Sequence, residues 1–143
     1  DNRKRAMGRK VIKALGGDAR DKKVALLGLT FKPNTDDMRD APSIAIVQTL
    51  EDAGATVAAH DPEGMKIAAA MMPAVTMCQN PYEAVAGADA VVIVTEWDAY
   101  RALDLKRVKQ LMRGDALVDL RNVYTSGDAQ AAQLRYSSIG RPA

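Results

Sequence analysis

A chain of 143 residues, near half hydrophobic and about a quarter charged, can bury one ordinary core, so one globular domain with an appendage is expected. Its apolar runs all fall short of the roughly 20 residues that a membrane span needs, and a single cysteine, Cys78, excludes an internal disulfide. The net charge of +2 hides an asymmetry: residues 1–23 hold nine Lys and Arg against three Asp, and the rest eleven against fifteen acidic residues.

The stretch from Asp1 to Arg5 leads into an amphipathic segment and not an apolar leader, so no signal peptide is expected. With the lone cysteine, this points to a reducing, cytoplasmic setting. One His and one Cys are too few for a zinc site. Met7, Val11 and Leu15 recur every four residues with Ile12 beside them, the pattern of a helix with one buried stripe. Gly16-Gly17 and the first strand follow so closely that the stripe is expected to complete a contact outside its own domain. The basic residues around it read as a solvated face; nucleic acid is disfavoured because no aromatic lies among them.

Lys23 to Leu29 is a short continuous apolar run, as expected of a parallel strand covered on both faces. After a long loop, Pro42 suits the first turn of a helix, with Asp40 placed to cap it or favour its dipole and Gly54 to end it. Ala55 to His60 reads as a strand, Glu63 to Met72 as a helix, Val75 to Met77 as a short strand and Pro81 to Ala86 as a helix. Asp89 to Thr95 is the clearest strand; Leu103 to Met112 is helical and Ala116 to Leu120 is the last distinct strand. The tail after Tyr124 is expected to fray at its final residues. The alternation predicts an α/β, doubly wound, mostly parallel sheet of five to six strands, Rossmann-like and preceded by an N-terminal helix.

Ligands of such sheets bind where loops leave the strand C-termini. Three loops there carry polar side chains: Thr30 to Arg39, Thr95-Glu96-Trp97, and Asp119 to Tyr124. The first lacks the glycine fingerprint. Only Gly28 fits; Thr30 and Pro33 stand where the other glycines would let backbone N–H groups meet a pyrophosphate. The loop offers cations instead, with Lys32 and Arg39 as the best ligands for an anion, although Arg39 could equally pair with Asp36 or Asp37. Arg121 projects from the same edge, in competition with a salt bridge to Asp119. Asp36 and Asp37 are read as turn formers and not as a metal site. Asp61 stands where a dinucleotide fold keeps its ribose-binding acid, but without the glycine loop it is read as a strand-end turn residue. His60 has no nucleophile in motif with it, and Cys78 reads as a small buried hydrophobe. Trp97 and Tyr100 could stack on a base or cap the core.

The run Gly28-Leu29-Thr30-Phe31-Lys32-Pro33-Asn34-Thr35-Asp36-Asp37-Met38-Arg39-Asp40-Ala41-Pro42-Ser43 resembles the loop opening the C-terminal domain of nucleotide-sugar dehydrogenases, most closely the UDP-glucose 6-dehydrogenase branch. Thr95-Glu96-Trp97 and Val118-Asp119-Leu120-Arg121-Asn122 match two further stretches in the same order, so the resemblance spans nearly the whole chain. It implies an oxidoreductase of three parts: an NAD-binding Rossmann domain, a central helical domain, and a C-terminal domain that closes over the UDP-sugar. Such enzymes oxidise the sugar's C6 alcohol to a carboxylate in two NAD-dependent steps through a thioester on a cysteine. Residues 1–21 would then end the central part and residues 22–143 form the third. Neither the NAD fingerprint nor the glycine-flanked cysteine motif is found here, so this portion is not expected to catalyse alone. By resemblance Phe31, Lys32 and Arg121 contact the nucleotide sugar and Arg39 reaches toward NAD held mainly by another domain. The full-length enzyme is expected to be a homodimer or larger. The alternative is a stand-alone flavodoxin-like or CheY-like binding or regulatory module.

Overall fold

The computed structural model describes residues 2–139, apart from the side chains of Asn2 and Lys4. Six strands form one wholly parallel sheet. They are β1 (Lys23–Leu27), β2 (Thr56–His60), β3 (Thr76–Met77), β4 (Ala90–Ile93), β5 (Ala116–Asp119) and β6 (Arg135–Ser138). Their order, β3-β2-β1-β4-β5-β6, is that of a dinucleotide-binding fold. Among the described residues seven helices accompany them: α1 (Asn2–Ala14), α2 (Pro42–Asp52), α3 (Met65–Met71), α4 (Pro81–Val85), α5 (Asp98–Arg101), α6 (Leu105–Leu111) and α7 (Ser126–Ala131).

Strand periodicity divides the core in two. Val24 and Leu26 of β1 face one layer with Ile46, Val47 and Leu50 of α2, whereas Ala25 and Leu27 face the other with Val85, Tyr100 and Val108. The central strands are buried on both faces, which is why they read as unbroken apolar runs. Their register aligns the C-terminal ends. Leu27 pairs with His60 on one side and Ile93 on the other, and Ile93 pairs with Asp119. The loops after β2, β1, β4 and β5 therefore leave the sheet side by side.

Helix α1 covers part of its stripe within the chain: Val11 is fully buried in the layer of α2, and Met7, Ile12 and Leu15, each partly buried, pack against that layer. Gly8 permits the approach, since a Cβ there would lie 2.7 Å from Thr49 Cβ. Both helices end on left-handed glycines. The N–H groups of Gly16 and Gly17 bond Lys13 and Ile12 carbonyls, and those of Gly54 and Ala55 bond Glu51 and Leu50 carbonyls.

Two local expectations are corrected. Ala41, not Asp40, is the N-cap of α2, with no side-chain cap bond, while Asp40 takes a positive φ of 57°. Helix α6 starts at Leu105, two residues later than expected, because the Asp104 carboxylate accepts from the Lys106 and Arg107 amides. The chain beyond Tyr124 forms α7 and β6. Thr125 and Asp128 cap α7 reciprocally, and β6 (Arg-Tyr-Ser-Ser) joins the sheet edge without an apolar period to betray it. Gly140 onward, in the tail expected to fray, lies outside the described residues.

Candidate functional site

The loop after β1 is bound tightly at its root and open at its tip. Leu29 and Thr30 are fully buried, and the Ser43 hydroxyl at the start of α2 donates to the Leu29 carbonyl at 2.6 Å. Thr95, following β4, donates its hydroxyl to the Thr30 carbonyl at 2.8 Å. Gly28 makes this crossing possible. It has φ +100°, and a Cβ on it would lie 2.5 Å from the Thr95 backbone nitrogen. The Phe31 amide then donates to the Asp37 carbonyl, closing the tip on itself, and the Thr30 hydroxyl oxygen lies 3.1 Å from the Lys32 carbonyl oxygen. Phe31 is 47% exposed despite being the chain's one phenylalanine, and Lys32 beside it is exposed and in no salt bridge among the described residues.

Arg39 pairs with Asp37. Its Nε and Nη2 donate to the two carboxylate oxygens at 3.1 and 3.0 Å, and its amide donates to Oδ1. Those hydrogen bonds hold the Asp37 carboxyl below the usual carboxylate range. The pair is exposed on the arginine side, so it shapes the loop and contributes little stability.

The loop after β5 is pinned from within. Fully buried Asp119 accepts from the Arg121, Val123 and Tyr124 amides, and the Tyr136 hydroxyl lies 2.8 Å from its Oδ2. The competitor for Arg121 is therefore not the Asp119 carboxylate, which takes only the backbone N–H. The guanidinium instead donates through Nε and Nη2 to Glu96 Oε2, at 2.9 and 2.5 Å. Glu96 was visible only as part of a polar loop; the register of β4 against β5 is what faces it toward Arg121. Its Oε1 is buried with no partner among the described residues. Beside Arg121 a cavity of about 540 Å³ is walled by Met7, Leu120 and Ile139 with Arg3 and Lys10 at its rim.

The remaining candidates belong to the core. Trp97 is 7% exposed and Tyr100 fully buried, so neither offers a face to a base. The Tyr100 hydroxyl donates to the His60 carbonyl and meets His60 Nδ1 at 3.0 Å, and Tyr124 donates to the Tyr100 carbonyl. Burial lowers the His60 pKa, partly offset by the Asp61 charge, so the ring is neutral at pH 7. Burial likewise pushes up the Cys78 thiol, which sits in the second core layer. Asp61 is more than a turn residue. It is fully buried, and its carboxylate faces inward to protein donors on three loops. A whole dinucleotide does not fit this edge. The glycine cradle is missing, and the acid that would take a ribose is consumed internally.

The family model described as UDP-glucose/GDP-mannose dehydrogenase family, UDP binding domain, matches residues 25–126. A UDP-glucose 6-dehydrogenase of Rhizobium meliloti is 59% identical over 142 residues, 99% of this chain and 32% of that protein. One from Pseudomonas aeruginosa is 43% identical over 125 residues, 83% of this chain and 28% of that one. The chain thus spans about a third of the length of the curated relatives it matches. Among solved structures, a UDP-glucose dehydrogenase from Pyrobaculum islandicum superposes with a TM-score of 0.75 at 30% identity, covering 95% of this chain and 29% of its own. An NDP-N-acetyl-D-galactosaminuronic acid dehydrogenase from Methanosarcina mazei gives 0.78 at 26% identity, covering 98% and 29%.

Proposed function

We propose that this chain, which belongs to the UDP-glucose/GDP-mannose dehydrogenase family and carries its UDP-binding domain, holds the UDP-sugar for an NAD-dependent UDP-glucose 6-dehydrogenase. In this reading residues 22–143 form the nucleotide-sugar-binding unit and residues 1–21 end a preceding helical part. Lys32 meets the diphosphate or sugar as a mobile point charge, Phe31 packs on the ligand, and Arg121 approaches it from the next loop but one. Arg39 faces NAD held by another domain, and its exposed guanidinium is consistent with that role. The redox chemistry and the covalent step would belong to other domains of the dehydrogenase; this portion positions C6 and excludes water.

The observation that carries the reading is the exposed Lys32, unpaired among the described residues, at the mouth of a loop whose root is rigidly buried, in a chain that matches a UDP-binding family over most of its length. A stand-alone flavodoxin-like or CheY-like module is not favoured, because the relatives are UDP-glucose 6-dehydrogenases over the whole chain. The test is titration calorimetry with UDP-glucose, UDP and NAD at low salt. UDP-dependent heat that weakens at least tenfold in Lys32→Ala, about 1.4 kcal/mol, is expected. Equal binding by Lys32→Ala would remove that residue from the site.

A further inference from the structure

Asp61 sits at the end of β2, the place from which a dinucleotide fold extends an acid to its ligand's ribose. Here that carboxylate is fully buried and saturated by protein donors. Oδ2 accepts from the Leu29 amide at 2.7 Å, the Thr30 amide at 3.1 Å, the Thr30 hydroxyl at 3.1 Å and Trp97 Nε1 at 3.2 Å. Oδ1 accepts from the Glu63 and Gly64 amides at 2.9 and 2.8 Å. The donors come from three separate loops, after β1, β2 and β4. Gly64 closes the cradle: a Cβ there would lie 2.5 Å from Thr30 Cγ2 and 3.3 Å from Asp61 Oδ1.

We propose that Asp61 is a positioning residue: resting on the nucleotide-binding reading above, it fixes the root of the β1 loop so that Phe31 and Lys32 stand ready for a nucleoside diphosphate. The acid that in a dinucleotide fold would touch ligand has become an internal pin. Two considerations carry this. Every contact to the carboxylate is a donor, so a neutral amide in its place would turn an NH2 group toward other N–H groups. And the Leu29 and Thr30 amides belong to no strand ladder: the Ser43 and Thr95 hydroxyls hold the carbonyls of these two residues, and Asp61 holds their N–H groups. Preorganisation of that kind lowers the ordering cost that ligand binding would otherwise carry.

The experiment pairs Asp61→Asn with Lys32→Ala on this chain, using UDP as the titrant and amide hydrogen exchange as a second readout. Exchange at Leu29 and Thr30 should accelerate at least tenfold in Asp61→Asn while amides of β4 and β5 keep their protection. UDP affinity should fall at least tenfold, and the double variant should lose less than the sum of the two single losses, because the pin acts through the loop tip that carries the lysine. Additive losses in the double variant would overturn the positioning role, as would unchanged UDP affinity in Asp61→Asn. If Asp61→Asn does not fold, Trp97→Phe removes one donor and leaves the carboxylate. It should then shift exchange at Thr30 and UDP affinity in the same direction, and no shift would overturn the proposal. Absence of UDP binding by the parent chain would instead strike the nucleotide reading, and the pin's effect on the loop would still be decided by exchange.

Discussion

Single side chains at the strand ends do two kinds of work, and their burial tells them apart. Lys32, Phe31 and Arg39 stand open to solvent on the long loop after β1, whereas the buried Asp61 and Asp119 carboxylates bond backbone amides and the buried His60 ring meets the Tyr100 hydroxyl. His60 carries a pH consequence. Its pKa is held below the ordinary 6.5 by desolvation, so the unfolded chain takes up a proton before the folded one. Stability is then full above about pH 6.5 and falls as pH drops through the folded pKa. Urea midpoints between about pH 7 and about pH 5 should decline in the parent and flatten in His60→Gln. An equally steep decline in the variant would place the effect elsewhere. Asp89 makes a second case. Its carboxylate accepts from the Lys23 amide at 2.9 Å and from Arg113 Nε and Nη2 at 2.9 and 2.5 Å, tying the start of β1 to the segment before β5. Asp89→Ala leaves the Lys23 amide without this partner and should cost about 1–3 kcal/mol, read by chemical denaturation. A loss under about 0.5 kcal/mol would mean that water replaces the carboxylate at no cost.

At the scale of elements, the turn from β1 into its loop depends on one missing methyl group. Gly28→Ala combines a left-handed φ with a clash against Thr95, and about 2–5 kcal/mol of destabilisation is expected. Retention of the parent melting temperature would show that β4 yields where the packing says it does not. The same elements show what could be read beforehand. β1, β2, β4 and β5 were legible because strands buried on both faces leave runs of Val, Ile, Leu and Ala. β6 was not, because an edge strand of Arg, Tyr and Ser borrows its order from β5 and has no period of its own. α7 had a usable sign in Thr125 and Asp128, three residues apart. For α1 the periodicity gives the buried stripe but not what covers it. Only the approach to Thr49 across Gly8, which no local pattern encodes, shows that α2 covers it.

For the molecule as a whole, the sheet order and its in-register strand ends put the cationic loops on one edge, and that much followed from alternating strands and helices. Which cations are free and which are paired did not follow. Arg121 lies two residues from Asp119 in sequence yet bonds Glu96 on the neighbouring strand's loop, and Asp61 reaches three loops at once. Among the described residues no helix is long and apolar enough to cross a membrane. The most direct test of the nucleotide-binding edge is a backbone amide NMR titration of the labelled chain with UDP. Shifts should concentrate in Thr30 to Arg39 and Leu120 to Tyr124 and need at least tenfold more UDP in Lys32→Ala. Shifts centred on the groove between α1 and α2, or none at saturating UDP, would contradict it.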